Sequence, residues 1–266
     1  MTENKKILAL DFDGVLCNSF HDTLLTAINT YLQCNPDNNL LLPEPLTPET
    51  VATFEKENPE FIKKLRQLMP LGHYAEDYYV KLNILDRNII DSVSSQEDFN
   101  RIRKAADNQI IKTYYNLFYQ FRHSLQKKDP DAWARLLPPF PGIPEAVRKL
   151  SNSFLPAITT TKDRQSVTIL LKTYGIADLF ASQNILDKDS ADSKREQMII
   201  LHRLHNLDFT HIYFIDDKVS HLLEVEDLKV HTYLSTWGFN SERELETAKQ
   251  HDIPLLDLED LPHLSP

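Results

Sequence analysis

Two aspartates separated by one residue, Asp11 and Asp13, follow directly on the apolar run Lys6-Ile-Leu-Ala-Leu10. Two carboxylates at this spacing can divide a group-transfer reaction. One attacks as a nucleophile; the other protonates the leaving atom and later takes a proton from water. A D-x-D pair alone also fits a solvated turn, or the metal-binding pair of a nucleotide-sugar glycosyltransferase. The choice rests on what the rest of the chain brings to the same place.

Four further residues have complementary chemistry: Thr160, Lys194, Asp216 and Asp217. A phosphate monoester is a dianion, so a carboxylate can attack it only if nearby cations offset the repulsion. Lys194 offers one positive charge. Mg²⁺ would offer more, and it takes hard oxygen ligands: the carboxylates of Asp11 and Asp217, the backbone carbonyl of Asp13, and Asp216 as a further candidate. The Thr160 hydroxyl and helix N-terminal amides could hold phosphoryl oxygens. Asp11 would then form an aspartyl-phosphate, with Asp13 as acid and base. Each residue taken singly also has a plainer reading. Thr160 could end a strand or cap a helix, Lys194 could lie on the surface, and Asp216 could cap the next helix. Cys17 reads as a packed thiol; His73, His123 and His221 read as structural or exposed; the loop Asp187-Lys-Asp-Ser-Ala-Asp192 reads as solvated.

The elements needed to bring these residues together are legible in the pattern. Lys6–Leu10 reads as a buried parallel strand, and Gly14 permits the turn after it. Further strands are expected at Leu155–Thr159, His211–Ile215, Val230–Leu234 and Ile253–Leu256. Between them helices are expected near Glu145–Leu150, from about Asp163 to before Gly175, and behind two capping boxes, Ser193/Glu196 and Ser241/Glu244. This alternation implies an α/β fold, a doubly wound, Rossmann-like parallel sheet whose site lies at the carboxyl ends of the strands. Every candidate residue stands just past a strand or at a capped helix start. Residues 19–135 differ: Leu24, Leu25, Ile28, Tyr31 and Leu32, then Ile110, Tyr114, Leu117, Phe118 and Phe121, repeat at helical spacing. The stiff joint Leu137-Pro-Pro-Phe-Pro-Gly-Ile-Pro144 closes this block. The expected division is a core of residues 1–18 and 136–266 with an inserted helical domain at 19–135.

With the motifs in order, a resemblance becomes specific. Asp11-Phe-Asp-Gly-Val15 resembles the first motif of the haloacid dehalogenase superfamily. Ile158-Thr-Thr-Thr-Lys162 is similar to the second, with Thr160 as its phosphate-binding residue. Lys194 matches the third, and Ile215-Asp-Asp217 the fourth. Thr236-Trp-Gly-Phe-Asn240 resembles a segment common in the phosphoglycolate-phosphatase-like members. The resemblance implies a Rossmann-like core with a helical cap and a Mg²⁺-dependent phosphatase acting on a small phosphorylated metabolite. Dehalogenases and phosphonatases of the superfamily usually lack the second aspartate, which Asp13 supplies here. One position departs: many relatives carry an acid four residues after the metal-binding aspartate, where this chain has His221. Cap residues are expected to choose the substrate, and Lys63, Lys64, Arg66, Arg101, Arg103 and Lys104 are its basic candidates. A sugar-phosphate mutase on the same machinery, or a non-catalytic binding protein on this fold, are the competing functions.

Composition sets the outer bounds. The chain has 266 residues, 41% of them hydrophobic and 26% charged, with a net charge of −10. That acidity argues against nucleic acid or an anionic membrane surface as partner. No apolar run approaches a membrane span, and the N-terminal apolar stretch is too short for a secretory leader. Cys17 and Cys34 have no C-x-x-C spacing, against a disulfide framework or zinc site. A cytoplasmic location is expected; the pattern does not determine oligomeric state.

Overall fold

The computed structural model describes residues 6–40, 45–72 and 74–266. Its contacts divide the chain into two compact units, residues 1–18 with 138–266 and residues 19–137.

The first unit is built on a six-stranded sheet: β1 (Lys6–Leu10), β2 (Phe154–Thr159), β3 (Ile185–Leu186), β4 (Ile212–Asp216), β5 (His231–Ser235) and β6 (Leu255–Leu256). The order is β3-β2-β1-β4-β5-β6, and every neighbouring pair runs parallel. The central strands are largely apolar, with polar residues only at their ends, because helices leave neither face to water; β4 is buried at every position. On one face Ile7, Ala9, Ala157 and Phe214 pack with Met198, Leu201 and Leu222. The strand order reverses at β1, the switch point where parallel sheets open a crevice.

Of the expected strands, Lys6–Leu10 is present as read and the other four are present with ends shifted by one or two residues. β3 went unseen because two residues carry no periodicity. Its pairing Ile158↔Ile185 and Thr159↔Leu186 nevertheless extends the sheet beside the candidate site.

The described residues of the second unit form the helices α1 (Phe20–Cys34), α2 (Val51–Glu57), α3 (Pro59–Leu68), α4 (Asp77–Asp86), α5 (Gln96–Ala105), α6 (Asn108–Lys128) and α7 (Pro130–Arg135). Leu24, Leu25, Ile28 and Tyr31 of α1 are buried, as are Tyr114 and Phe118 of α6. Tyr114 donates to the Ala27 carbonyl at 3.2 Å, which ties α6 to α1. Deeper, Asp22 pairs with Arg122 at 2.6 Å and accepts from the Trp133 indole at 3.1 Å. The first unit adds α8 (Ile143–Leu150), α9 (Arg164–Thr173), α10 (Lys194–His205), α11 (Val219–Leu223) and α12 (Glu242–Gln250).

Candidate active site

The register of three strands sets the site. Leu10 lies beside Ile158 of β2 and Ile215 of β4. The next backbone group, Asp11 N–H, bonds the Ile215 carbonyl at 3.0 Å. Asp11, Thr159 and Asp216 therefore leave the sheet side by side, at its carboxyl edge.

Lys194 joins them. It is the first residue of α10, whose start is held by Ser193 Oγ accepting from Glu196 N–H. Its ammonium donates to Asp11 Oδ1 at 2.9 Å and to the Thr159 carbonyl at 2.6 Å, and stands 3.0 Å from Asp216 Oδ2. One side chain thus spans the ends of β2, β1 and β4. Burial opposes its charge, but Asp11 and Asp216 outweigh that and raise its pKa above the ordinary lysine value.

Asp216 has several partners already. Besides Lys194, it accepts from the Lys218 backbone N–H at 2.9 Å, and His221 Nδ1 lies 3.0 and 3.1 Å from its two oxygens. Burial would raise its pKa, but His221 and Lys194 overcome this and hold it below the carboxylate range. The histidine at the departing position thus turns towards Asp216.

Asp217 has different surroundings. One oxygen accepts from Phe239 N–H at 2.6 Å. Burial, then repulsion from Asp216 and Asp11, pushes its pKa well above the ordinary value. Asp11 is also raised, by burial first, against the pull of Lys194. Three buried carboxylates here share one lysine and one histidine. That donor set suits a hard divalent cation, which would hold Asp11 and Asp217 ionised. Asp11, Asp216 and His221 also bring ligand atoms within 4.8 Å of one another. Lys194, however, already stands between Asp11 and Asp216, and two cations would compete there. The Asp11 and Asp217 side is the better fit to a metal.

Thr160 is buried at the exit of β2. Its backbone N–H bonds the Leu186 carbonyl at 2.9 Å, and its hydroxyl accepts from Lys162 N–H at 3.1 Å. Asp13 is the most open of the acids, with 34% of its side chain exposed. Its carboxylate receives Lys162 Nζ, 3.1 Å from each oxygen.

Three features carried less weight in the sequence than they have here. Lys162 stood out as the lysine that closes the second motif, past a strand, with no role of its own assigned. The Thr236–Asn240 segment stood out by resemblance alone. It clasps the site: Trp237 donates to the Val15 carbonyl at 3.0 Å, and Gly238 packs against Asp217. The third is Glu244. Its expected capping box does not form, since Ser241 makes no side-chain cap bond. The Glu244 carboxyl instead accepts from the Val219 backbone N–H. Of the basic candidates in residues 19–135, Arg66 pairs with Glu55 at 2.8 Å, Arg101 with Asp98 at 2.8 Å, and Arg103 with Asp77 at 2.5 Å. Asp187 is buried rather than solvated, bonded to Ser190 and 3.6 Å from Arg164. Cys17 is a buried thiol outside any disulfide and His123 is exposed; His73 lies outside the described residues.

No protein-family model matches the sequence, and no curated protein matches it. Solved structures do. A candidate phosphoglycolate phosphatase from Lactobacillus delbrueckii subsp. bulgaricus aligns over 98% of each chain, with a TM-score of 0.66 and 14% identity. A predicted phosphoglycolate phosphatase from Haemophilus somnus does so over 98% of each chain at 0.58 and 15%. A haloacid dehalogenase-like family hydrolase from Streptococcus pneumoniae covers 100% of each chain at 0.56 and 19%. This chain therefore has the haloacid dehalogenase-like fold, an α/β parallel-sheet core with a helical insertion.

Proposed function

We propose that this chain is a phosphatase of the haloacid dehalogenase superfamily, hydrolysing a small-molecule phosphate monoester. The observation that carries the reading is Lys194 held between Asp11 and Asp216 at the ends of adjacent strands, with Asp13 two residues further on. Asp11 is the nucleophile. Its oxygen bonds phosphorus as the ester P–O bond breaks, giving an aspartyl-phosphate, while Asp13 protonates the leaving oxygen. Asp13 then takes a proton from water as that water displaces Asp11 from phosphorus. Lys194 orients Asp11 and offsets the charge of the phosphoryl group, and Thr160 lines its oxygens.

Asp11, Asp217 and the Asp13 carbonyl would hold Mg²⁺. When bound, the ion supplies positive charge that lets a dianionic ester approach a carboxylate. We assign Asp216 to positioning Lys194 rather than to the metal, because its oxygens are already engaged. Residues 19–135 act as the cap. Among the described residues no helix is long and apolar enough to cross a membrane. A cytoplasmic location belongs to the same proposal; Cys17 and Cys34 stand outside any disulfide.

The test is phosphate release from a panel of metabolite esters, 2-phosphoglycolate and sugar phosphates among them, in Mg²⁺ and in EDTA. Hydrolysis that needs Mg²⁺ and is lost in Asp11→Asn is expected. Silence across the panel, or undiminished turnover in Asp11→Asn, would sink the reading.

A further inference from the structure

The Asp13 carboxylate has a partner that this reaction scheme leaves unused. Lys162 Nζ lies 3.1 Å from both of its oxygens. The two side chains are unlike in surroundings: that of Lys162 is 2% exposed and that of Asp13 is 34% exposed. The buried partner is the fixed one. Lys162 N–H is tied to Thr160 Oγ1 at 3.1 Å, and its carbonyl accepts from Lys188 N–H at 3.3 Å. The following residue, Asp163, caps α9 by accepting from Ser166 N–H at 2.8 Å. The backbone is held on both sides, and the buried stem has little freedom to redirect its ammonium. A buried ammonium is also costly to leave unpaired.

We infer that Lys162 is a positioning residue for proton transfer: it clamps the half-open Asp13 carboxyl at one place and orientation beside the nucleophile. The inference rests on the reading of Asp13 as the proton donor. A general acid must come within about 2.6–3.2 Å of the leaving oxygen, and a misplacement of about 1 Å can cost on the order of 100-fold in rate. An exposed aspartate without such a clamp would sample several rotamers. Lys162 itself need not touch the reacting atoms.

The experiment uses leaving groups that differ in their need for a proton. Ethyl phosphate releases a strongly basic alkoxide and depends on the acid. 4-Nitrophenyl phosphate releases a stable phenolate and hardly does. kcat/KM is compared because it reports the step in which the ester bond breaks. Lys162→Met is expected to lower kcat/KM about 100-fold on ethyl phosphate, but only a few-fold on the aryl ester. The surviving aryl activity also shows that the site has folded. Lys162→Arg, which keeps a cation there, recovers most of the alkyl activity. Equal losses on both esters would overturn the inference. So would a loss that follows a second anionic group on the substrate rather than leaving-group basicity. If the unaltered protein hydrolyses neither of these esters nor any member of the metabolite panel, the phosphatase reading falls and this inference with it.

Discussion

Gly238 and Asp217 are so close that a β-carbon on the glycine would lie 2.2 Å from the aspartate Cβ and 2.6 Å from the Gly14 carbonyl oxygen. No heavy atom is tolerated there. A β-carbon on Gly14, at φ +89°, would likewise collide with the Asp217 carboxylate. The two glycines let the backbone close around one carboxylate.

Gly238→Ala should therefore displace Asp217 while leaving the Asp11 and Lys194 pair in place. Turnover is expected to fall on the order of 100-fold, and the Mg²⁺ needed for half-maximal activity to rise. Calorimetric titration with Mg²⁺ gives a readout without turnover. Unchanged metal affinity would detach Asp217 from the metal.

Lys194→Met should remove the one ammonium that separates Asp11 from Asp216. Breaking a buried ion pair costs about 3–5 kcal/mol. Low pH relieves the repulsion left behind by protonating a carboxyl. Urea unfolding in EDTA should therefore show a larger stability loss at pH 8 than at pH 5. A pH-independent loss would contradict the pairing.

Glu244 gives a pH dependence of defined sign. Burial, with Asp216 adding to it and Lys218 opposing, raises its pKa from 4.5 to about 7. Its Oε2 has no hydrogen-bond partner among the described residues. Between those pH values the folded protein holds the proton that the unfolded chain has released. Stability from this group is fully present below pH 4.5 and is lost as pH rises towards 7. Glu244→Gln should flatten the Tm profile over that window and melt higher than the unaltered protein at pH 7.5. A variant that tracks the unaltered protein across the range would refute this.

In the helical unit, Arg122→Met should leave Asp22 buried with only the Trp133 indole as a named partner. Denaturant titration should show a loss of about 3–5 kcal/mol, and the double variant Asp22→Leu/Arg122→Met should recover part of it. A loss below 1 kcal/mol, as for an exposed pair, would show that water reaches the pair.

What the sequence made legible follows from how far each signal reaches. Strand runs and the placement of Asp11, Asp13, Thr160, Lys194, Asp216 and Asp217 past strand or helix ends depend on local pattern, and parallel packing converts that pattern into proximity. Lys162 could not be read this way. A lysine after a strand is common, and only the register of β1 against β2 shows that it meets Asp13. Glu244 was misread for a related reason. The spacing of Ser241 and Glu244 is right for a capping box, but Val219 N–H of the neighbouring helix offers a competing donor. His221 was visible as a departure; its attachment to Asp216 was not.

The central place of β1 also bears on how the protein is made. The strand carrying Asp11 is hydrogen-bonded to β2 on one side and β4 on the other, and Lys194 lies 183 residues from Asp11 along the chain. During synthesis β1 leaves the ribosome long before either neighbour exists. Contacts of such separation fold slowly, because the loop must close before they reward it. Until β2 and then β4 are released, the edges of this strand stay unpaired and open to wrong pairing. A nascent chain stalled before Ile212 would carry Asp11 and Lys194, but neither Asp216 nor Asp217. Assembly of the candidate site is thus a late event in this unit's folding, although Asp11 is synthesised before each of its partners.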